Sequence, residues 1–206
     1  MLVSVSVLSV YDNLLSAINK VNNSSADYLH IDVMDGIFVN NIKFPIEVVN
    51  KIKAICKKPL DIHLMVNDIK TVLEYASLKP DYLTFHVEII NDNRLIKFIK
   101  SLGIKVGLAI NPETNINKLK PYLNDIDLVL FMSVTPGAGG QSFKEKTLDK
   151  IKRLKKVLPD NVIISIDGGI NNETIDKCKN VGCNMVVSGS FITNNDNYNE
   201  SIEKLR

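Results

Sequence analysis

The sequence predicts an α/β fold, a single (β/α)8 TIM barrel over residues 1–206, and three observations carry that expectation. Short β-rich runs alternate with stretches of helical period along the whole chain, in eight units. Nearly every strand candidate ends in polar or glycine residues. That suits a barrel ringed by eight strand ends better than an open sheet, where functional residues gather at one switch point. No linker, low-complexity tract or basic tail interrupts the pattern, so one domain is expected.

The strand candidates, in order, are 3–8, 28–33, 60–65, 82–86, 106–110, 128–132, 162–166 and 185–188. Helical patterns lie between them, among them 46–55, 69–78, 95–102 and 148–158. Asn111-Pro112-Glu113-Thr114 and Asn171-Asn172-Glu173-Thr174 place capping residues and an acid ahead of helices, while Gly103 and Gly182 stand where a helix-terminating glycine belongs. Asn194 to Asn197 read as a short polar turn before the last helix.

Composition narrows the function. The 25 basic and 23 acidic residues are spread along the chain, so no field points to nucleic acid or an anionic membrane, and an anionic substrate needs a local site. No apolar run approaches the roughly 18 residues of a membrane span. The N-terminus lacks a basic signal region and reads as a strand, so the expected compartment is the cytoplasm. Cys56, Cys178 and Cys183 lack C-x-x-C spacing and are expected to be free thiols.

The most informative segment is His30-Ile31-Asp32-Val33-Met34-Asp35-Gly36. Side chains two apart on a strand share a face, so His30 and Asp32 point into a barrel while Ile31 and Val33 pack outward. The pair reads either as a structural hydrogen bond or as part of a metal site. His63 at the end of the third strand and Asp167 at the end of the seventh favour the second reading. Two imidazoles and two carboxylates make a four-ligand set suited to zinc or a similar ion. Asp35, His86 and Glu88 compete for these roles. Asp35 reads more readily as the cap of the turn at Gly36, and His86 and Glu88 as partners behind the ligands.

A second constellation is rich in glycine. Ser133 to Gln141, containing Gly137, Ala138, Gly139 and Gly140, follows the sixth strand; Gly168-Gly169 follows the seventh and Gly189-Ser190 the eighth. Glycines let backbone N–H groups approach an anion closely, and barrels bind phosphate with their last loops. A metal beside two carboxylates and a phosphate cradle points to proton abstraction next to a carbonyl, with one carboxylate on each face of the carbon permitting inversion. Met34, Met65 and Met132 at strand ends read equally as core filler or as a thioether lining of the reacting face.

These residues bring the chain close to a known family. Ser6-Val7-Leu8-Ser9, His30 to Gly36, His63-Leu64-Met65-Val66, Met132 to Gln141 and Asp167-Gly168-Gly169-Ile170 resemble, in order, the motifs of ribulose-phosphate 3-epimerases. The resemblance covers essentially the whole chain. It implies a homo-oligomeric barrel that interconverts D-ribulose 5-phosphate and D-xylulose 5-phosphate in the pentose phosphate pathway, with one divalent metal, commonly zinc, with iron, manganese or cobalt as alternatives. By position it implies His30, Asp32, His63 and Asp167 as metal ligands, with Asp32 and Asp167 as the acid/base pair. Ser6 and His63 would contact the sugar. Gly137, Ala138, Gly139, Gly140, Asp167, Gly168, Gly169, Gly189 and Ser190 would contact substrate and phosphate, and Met34, Met65 and Met132 would line the site.

The chain departs from the family pattern at Ile37 and Asn40, often His and Pro, and at Ala138, usually Phe. These changes bear on how the loops close. A 3-epimerase of a six-carbon ketose phosphate such as allulose 6-phosphate, and a non-catalytic phosphosugar-binding barrel, are the competing readings. The second does not need both Asp32 and Asp167.

Overall fold

A computed structural model describes residues 1–206. Nine strands form one sheet: β1 (Leu2–Ser6), β2 (Tyr28–Asp35), β3 (Ile42–Lys43), β4 (Leu60–Met65), β5 (Tyr82–His86), β6 (Lys105–Ile110), β7 (Leu128–Met132), β8 (Ile163–Asp167) and β9 (Met185–Ser188). All neighbours pair in parallel except β3, and β1 pairs with both β9 and β2. The eight parallel strands therefore close into a (β/α)8 barrel, as expected.

The helices are α1 (Leu14–Asn22), α2 (Ile46–Ile55), α3 (Ile69–Ala76), α4 (Arg94–Ser101), α5 (Lys146–Lys155), α6 (Ile175–Val181), α7 (Ser190–Thr193) and α8 (Tyr198–Glu203). None is long and apolar enough to cross a membrane. The expected caps hold at α6, where Asn171 Oδ1 accepts from the N–H groups of Glu173 and Thr174, and where Gly182 ends the helix in the left-handed region.

Strand alternation sorts the core into two layers. Outward residues such as Ile31, Val33, Ile62, Leu64, Phe85 and Phe131 join the helices in one large apolar cluster. Inward residues from β5 to β9, among them Leu128, Leu130, Met132, Met185 and Val187, form a separate small cluster inside the barrel. The interior over β1, β2, β4 and β5 is polar instead: Ser4, Ser6, His30, Asp32, Asp61, His63, Thr84 and His86 are all buried. Buried charge is costly unless paired or metal-bound, so this wedge of the barrel must satisfy itself internally.

The structure corrects three sequence boundaries or expectations. The first strand stops at Ser6, and residues 8–13 turn as a 3-10 helix. The second runs on to Asp35 because β3 folds back against it, pairing Met34 with Lys43 and Asp35 with Ile42. The helix expected after Asn111 is replaced by two short 3-10 turns, 116–118 and 120–122. Pro121 cannot donate a helical hydrogen bond there, and Lys150 reaches in to bond the carbonyls of Asn111, Pro112 and Thr114. The three cysteines are free, as expected.

Candidate active site

Register brings the polar residues together. On the parallel ladder between β2 and β4, His30 lies opposite Asp61 and Asp32 opposite His63; on that between β7 and β8, Met132 lies opposite Asp167. His30 Nε2 and His63 Nδ1 each stand 3.2 Å from Asp32 Oδ1, and His63 Nδ1 stands 4.0 Å from Asp167 Oδ2. One donor atom from each of His30, Asp32, His63 and Asp167 lies within 4.8 Å of the other three. Ligands bound at about 2.0–2.2 Å in a tetrahedron sit about 3.4 Å apart, so this set needs only a small contraction around a divalent ion. Two nitrogens and two carboxylates, nearly dry and facing one point, fit such an ion.

The bonds behind these four residues set which ring nitrogens face the centre. His30 Nδ1 bonds Asp61 Oδ2 at 2.7 Å, and the Ser4 hydroxyl donates to the same oxygen at 2.8 Å, which leaves His30 Nε2 inward. On the other side, Glu88 Oε2 accepts a hydrogen bond from His86 Nδ1–H at 3.2 Å. Glu88 Oε1 accepts from the Asn111 N–H and the Thr114 hydroxyl. Burial pushes His86 down to about 4 against the opposing pull of Glu88, so the ring is neutral and its Nε2 is an acceptor. His63 Nε2–H therefore donates to His86 Nε2 at 3.0 Å, leaving the Nδ1 lone pair free to face the centre. Burial works against the Glu88 charge as well, but the bonds from His86, Thr114 and Asn111 hold its carboxyl down at about 2.

The two carboxylates differ sharply. Burial would raise Asp32, but the charge and hydrogen bond of His30 outweigh it and hold its carboxyl far below the usual range. The Ser6 hydroxyl donates to its other oxygen at 2.7 Å. Asp167 is pushed up to about 7, first by burial and then by the charge of Asp32.

Both carboxylates open into a cavity of about 320 Å³ at the C-terminal ends of the strands. Met34, Met65 and Met132 line its wall, and Gly137, Ala138, Gly139, Gly140, Gly168, Gly169, Gly189 and Ser190 line its rim. Gly169 allows a close approach: its φ is +65°, and a Cβ there would stand 2.8 Å from the Phe143 amide nitrogen. Ser6 reaches the cavity beside Asp32, whereas His30 and His63 are fully buried beneath it. Asp35 caps its turn, accepting from Ile37 and Phe38, and also ties down Asn67. His86 and Glu88 stand behind His63 rather than in the cavity.

Sequence reasoning missed Ser4 and Asp61. The signal was present, since Asp61 is two residues from His63 on one strand, the spacing that paired His30 with Asp32.

The family model described as Ribulose-phosphate 3 epimerase family matches residues 2–193. The chain belongs to that family. It is an enzyme of the epimerase class. The curated relatives named ribulose-phosphate 3-epimerase include one from Helicobacter pylori (strain ATCC 700392 / 26695), 36% identical over all of this chain and 97% of its own. Another, from Buchnera aphidicola subsp. Baizongia pistaciae, is 39% identical over all of this chain and 94% of its own. Among solved structures, KGPDC from Streptococcus mutans superposes with a TM-score of 0.72 over 98% of this epimerase and 94% of that chain, at 15% identity. A likeness at that identity concerns the barrel alone.

Proposed function

We propose that this epimerase interconverts D-ribulose 5-phosphate and D-xylulose 5-phosphate by moving a proton at C3, with Asp32 and Asp167 as the two carriers. The observation that carries this reading is the pair itself: two carboxylates facing one cavity, one held far below and one pushed up to about 7. Groups whose environments drive their acidities apart are suited to opposite proton-transfer roles. One takes the proton from one face of C3, and the other returns a proton to the opposite face; the reverse reaction exchanges the roles.

His30, Asp32, His63 and Asp167 would hold a divalent ion, with zinc the first choice and iron, manganese or cobalt as alternatives. When bound, that ion would supply Lewis-acid stabilisation of the negative charge that builds on the substrate oxygens of an enediolate. The rest falls to the chain. Ser6 would hold Asp32 in place and meet the sugar with it. His63 would act from beneath, offering its Nδ1 lone pair to the ion beside Asp32. Met34, Met65 and Met132 present polarizable surface without an exchangeable proton, so they would exclude water from the reacting carbon without competing for its proton.

At the rim, the phosphate would rest on backbone N–H groups of the loops carrying Gly137 to Gly140, Gly168, Gly169, Gly189 and Ser190, with Ala138 as a small gate. A cytoplasmic homo-oligomer belongs to the same proposal, and sedimentation of the purified protein tests its assembly.

The decisive assay loads the protein with zinc, manganese, cobalt or iron and follows wash-out of the C3 proton of ribulose 5-phosphate into deuterated solvent. Exchange with formation of xylulose 5-phosphate is expected. Exchange on allulose 6-phosphate alone would move the activity to the six-carbon substrate, and no exchange with any metal would sink the epimerase reading.

A further inference from the structure

The cavity has a charge problem. Its charged lining residues are Asp32 and Asp167, both acidic, and no lysine, arginine or histidine lines it. A divalent ion in the centre would offset those two carboxylates, and a phosphate dianion seated on the glycine loops would then have backbone dipoles alone to offset its own charge. A second cavity of about 360 Å³ opens directly outside. It shares Gly137 to Gly140, Ser190 and Asn194 with the first and adds Asn41 and Lys43, and Lys43 is its one charged residue.

Lys43 is held at this rim from both sides. It lies on β3 opposite Met34, whose side chain lines the inner cavity. Two residues earlier, the Asn41 side-chain amide donates to the Gly137 carbonyl at 2.7 Å, joining β3's arm to the glycine loop. One residue later, Phe44 is fully buried in a left-handed backbone conformation with φ 53°, and its carbonyl accepts from the Tyr75 hydroxyl at 2.7 Å. A bulky residue keeps that conformation only where its surroundings over-determine it. The Tyr11 ring packs edge-on against Phe44 with centroids 4.8 Å apart, and Lys43 Nζ stands 4.1 Å from the centroid of the same ring. The ammonium has no carboxylate within 4.0 Å, so its charge is not spent on an ion pair.

We infer that Lys43 is a specificity-determining residue that supplies the positive charge for the substrate phosphate on the Gly137–Gly140 loop. The inference rests on the sugar-phosphate reading above but concerns the anion rather than the chemistry. An ammonium on a flexible stem, braced by an aromatic ring, can swing over the loop and meet the phosphate as a point charge. The chain thereby gains a cation at a rim otherwise built from backbone and small side chains.

The test compares wild type with Lys43→Met, which keeps the apolar stem and removes the charge, and with Lys43→Arg, which keeps the charge. All are metal-loaded and checked for equal metal content. The readouts are KM and kcat for ribulose 5-phosphate at several salt concentrations, and the affinity of inorganic phosphate by calorimetry. Lys43→Met should raise KM and weaken phosphate by a similar factor, about 3- to 20-fold at low salt, with kcat within about twofold. Its kcat/KM should also respond less to salt, and Lys43→Arg should recover most of the loss.

Unchanged phosphate affinity in Lys43→Met would overturn the inference, as would a fall in kcat at unchanged KM. If Lys43→Met misfolds, Lys43→Gln read by the same phosphate titration decides. Phosphate binding needs no turnover, so an inactive wild type that binds phosphate through Lys43 would sink the epimerase reading while leaving this inference standing.

Discussion

Filling the His30–Asp32–His63–Asp167 centre with a divalent ion should release protons, and the structure names the groups they leave. In the metal-free protein burial opposes a charge on His30, but Asp61 at 2.7 Å and Asp32 at 3.2 Å outweigh it and hold its pKa well above the usual histidine range. The ring is therefore doubly protonated at pH 7. An ion at Nε2 must displace that proton, while Nδ1–H stays with Asp61. Asp167, pushed up to about 7 by burial and by Asp32, keeps part of its proton near neutral pH and must also ionise to bind.

The ring proton of His30 and the share that Asp167 still holds give a release of between about one and two protons per ion near neutral pH, larger at lower pH. The logarithm of the metal affinity should climb with pH at the same slope. The sign for stability without metal follows from the same shifts. A raised Asp167 stabilises the fold at low pH, and that contribution is lost as pH rises from about 4 through about 7. The raised His30 contributes below about 6.5, and its share is lost as pH rises through its folded value. Calorimetric titration of the metal-free protein with zinc or manganese, in buffers of different ionisation enthalpy, measures the proton count. A count near zero at pH 6 to 7 would refute the reasoning, because it would mean that His30 is neutral and Asp167 ionised before the ion binds.

Three further outcomes are expected. Glu88→Gln weakens the hold on the His86 Nδ1 proton, and with it the tautomer of His63, so metal affinity should fall about tenfold in chelator competition; unchanged affinity would cut His86 and Glu88 out of the centre. Gly169→Ala puts a methyl 2.8 Å from the Phe143 nitrogen and 3.1 Å from the Gln141 carbonyl at φ +65°, so denaturant melts should show a loss of about 2–3 kcal/mol, with a raised KM as the glycine loop shifts. Asp167→Asn should abolish inversion while some C3 exchange persists through Asp32; loss of exchange together with loss of bound metal would instead mean that the centre has collapsed.

Much of the centre was legible because strand residues alternate faces. His30 and Asp32 had to share a side, as did the apolar residues between and beyond them, and the core divides accordingly. The same rule reaches Ser4 and Asp61, which went unread because a serine or aspartate near a strand start carries no chemistry until its partner is known. Asp61 acquires its role only from the β2–β4 register, which sets it opposite His30 rather than one residue away. β3 was equally hidden, since two residues carry no periodicity, and its position depends on pairing with the end of β2.

By itself the sequence determined the repeating βα pattern, the inward face of each strand and the glycine-rich loops, because periodicity and glycine's backbone freedom are local properties. The tertiary structure alone decided the register that brings four donors from three strands within 4.8 Å of one another, and that His63, of the four, is the one His86 and Glu88 back. It also decided that Lys43 stands at the glycine rim. Those facts rest on register and on contacts between residues far apart in the chain, which no local pattern encodes.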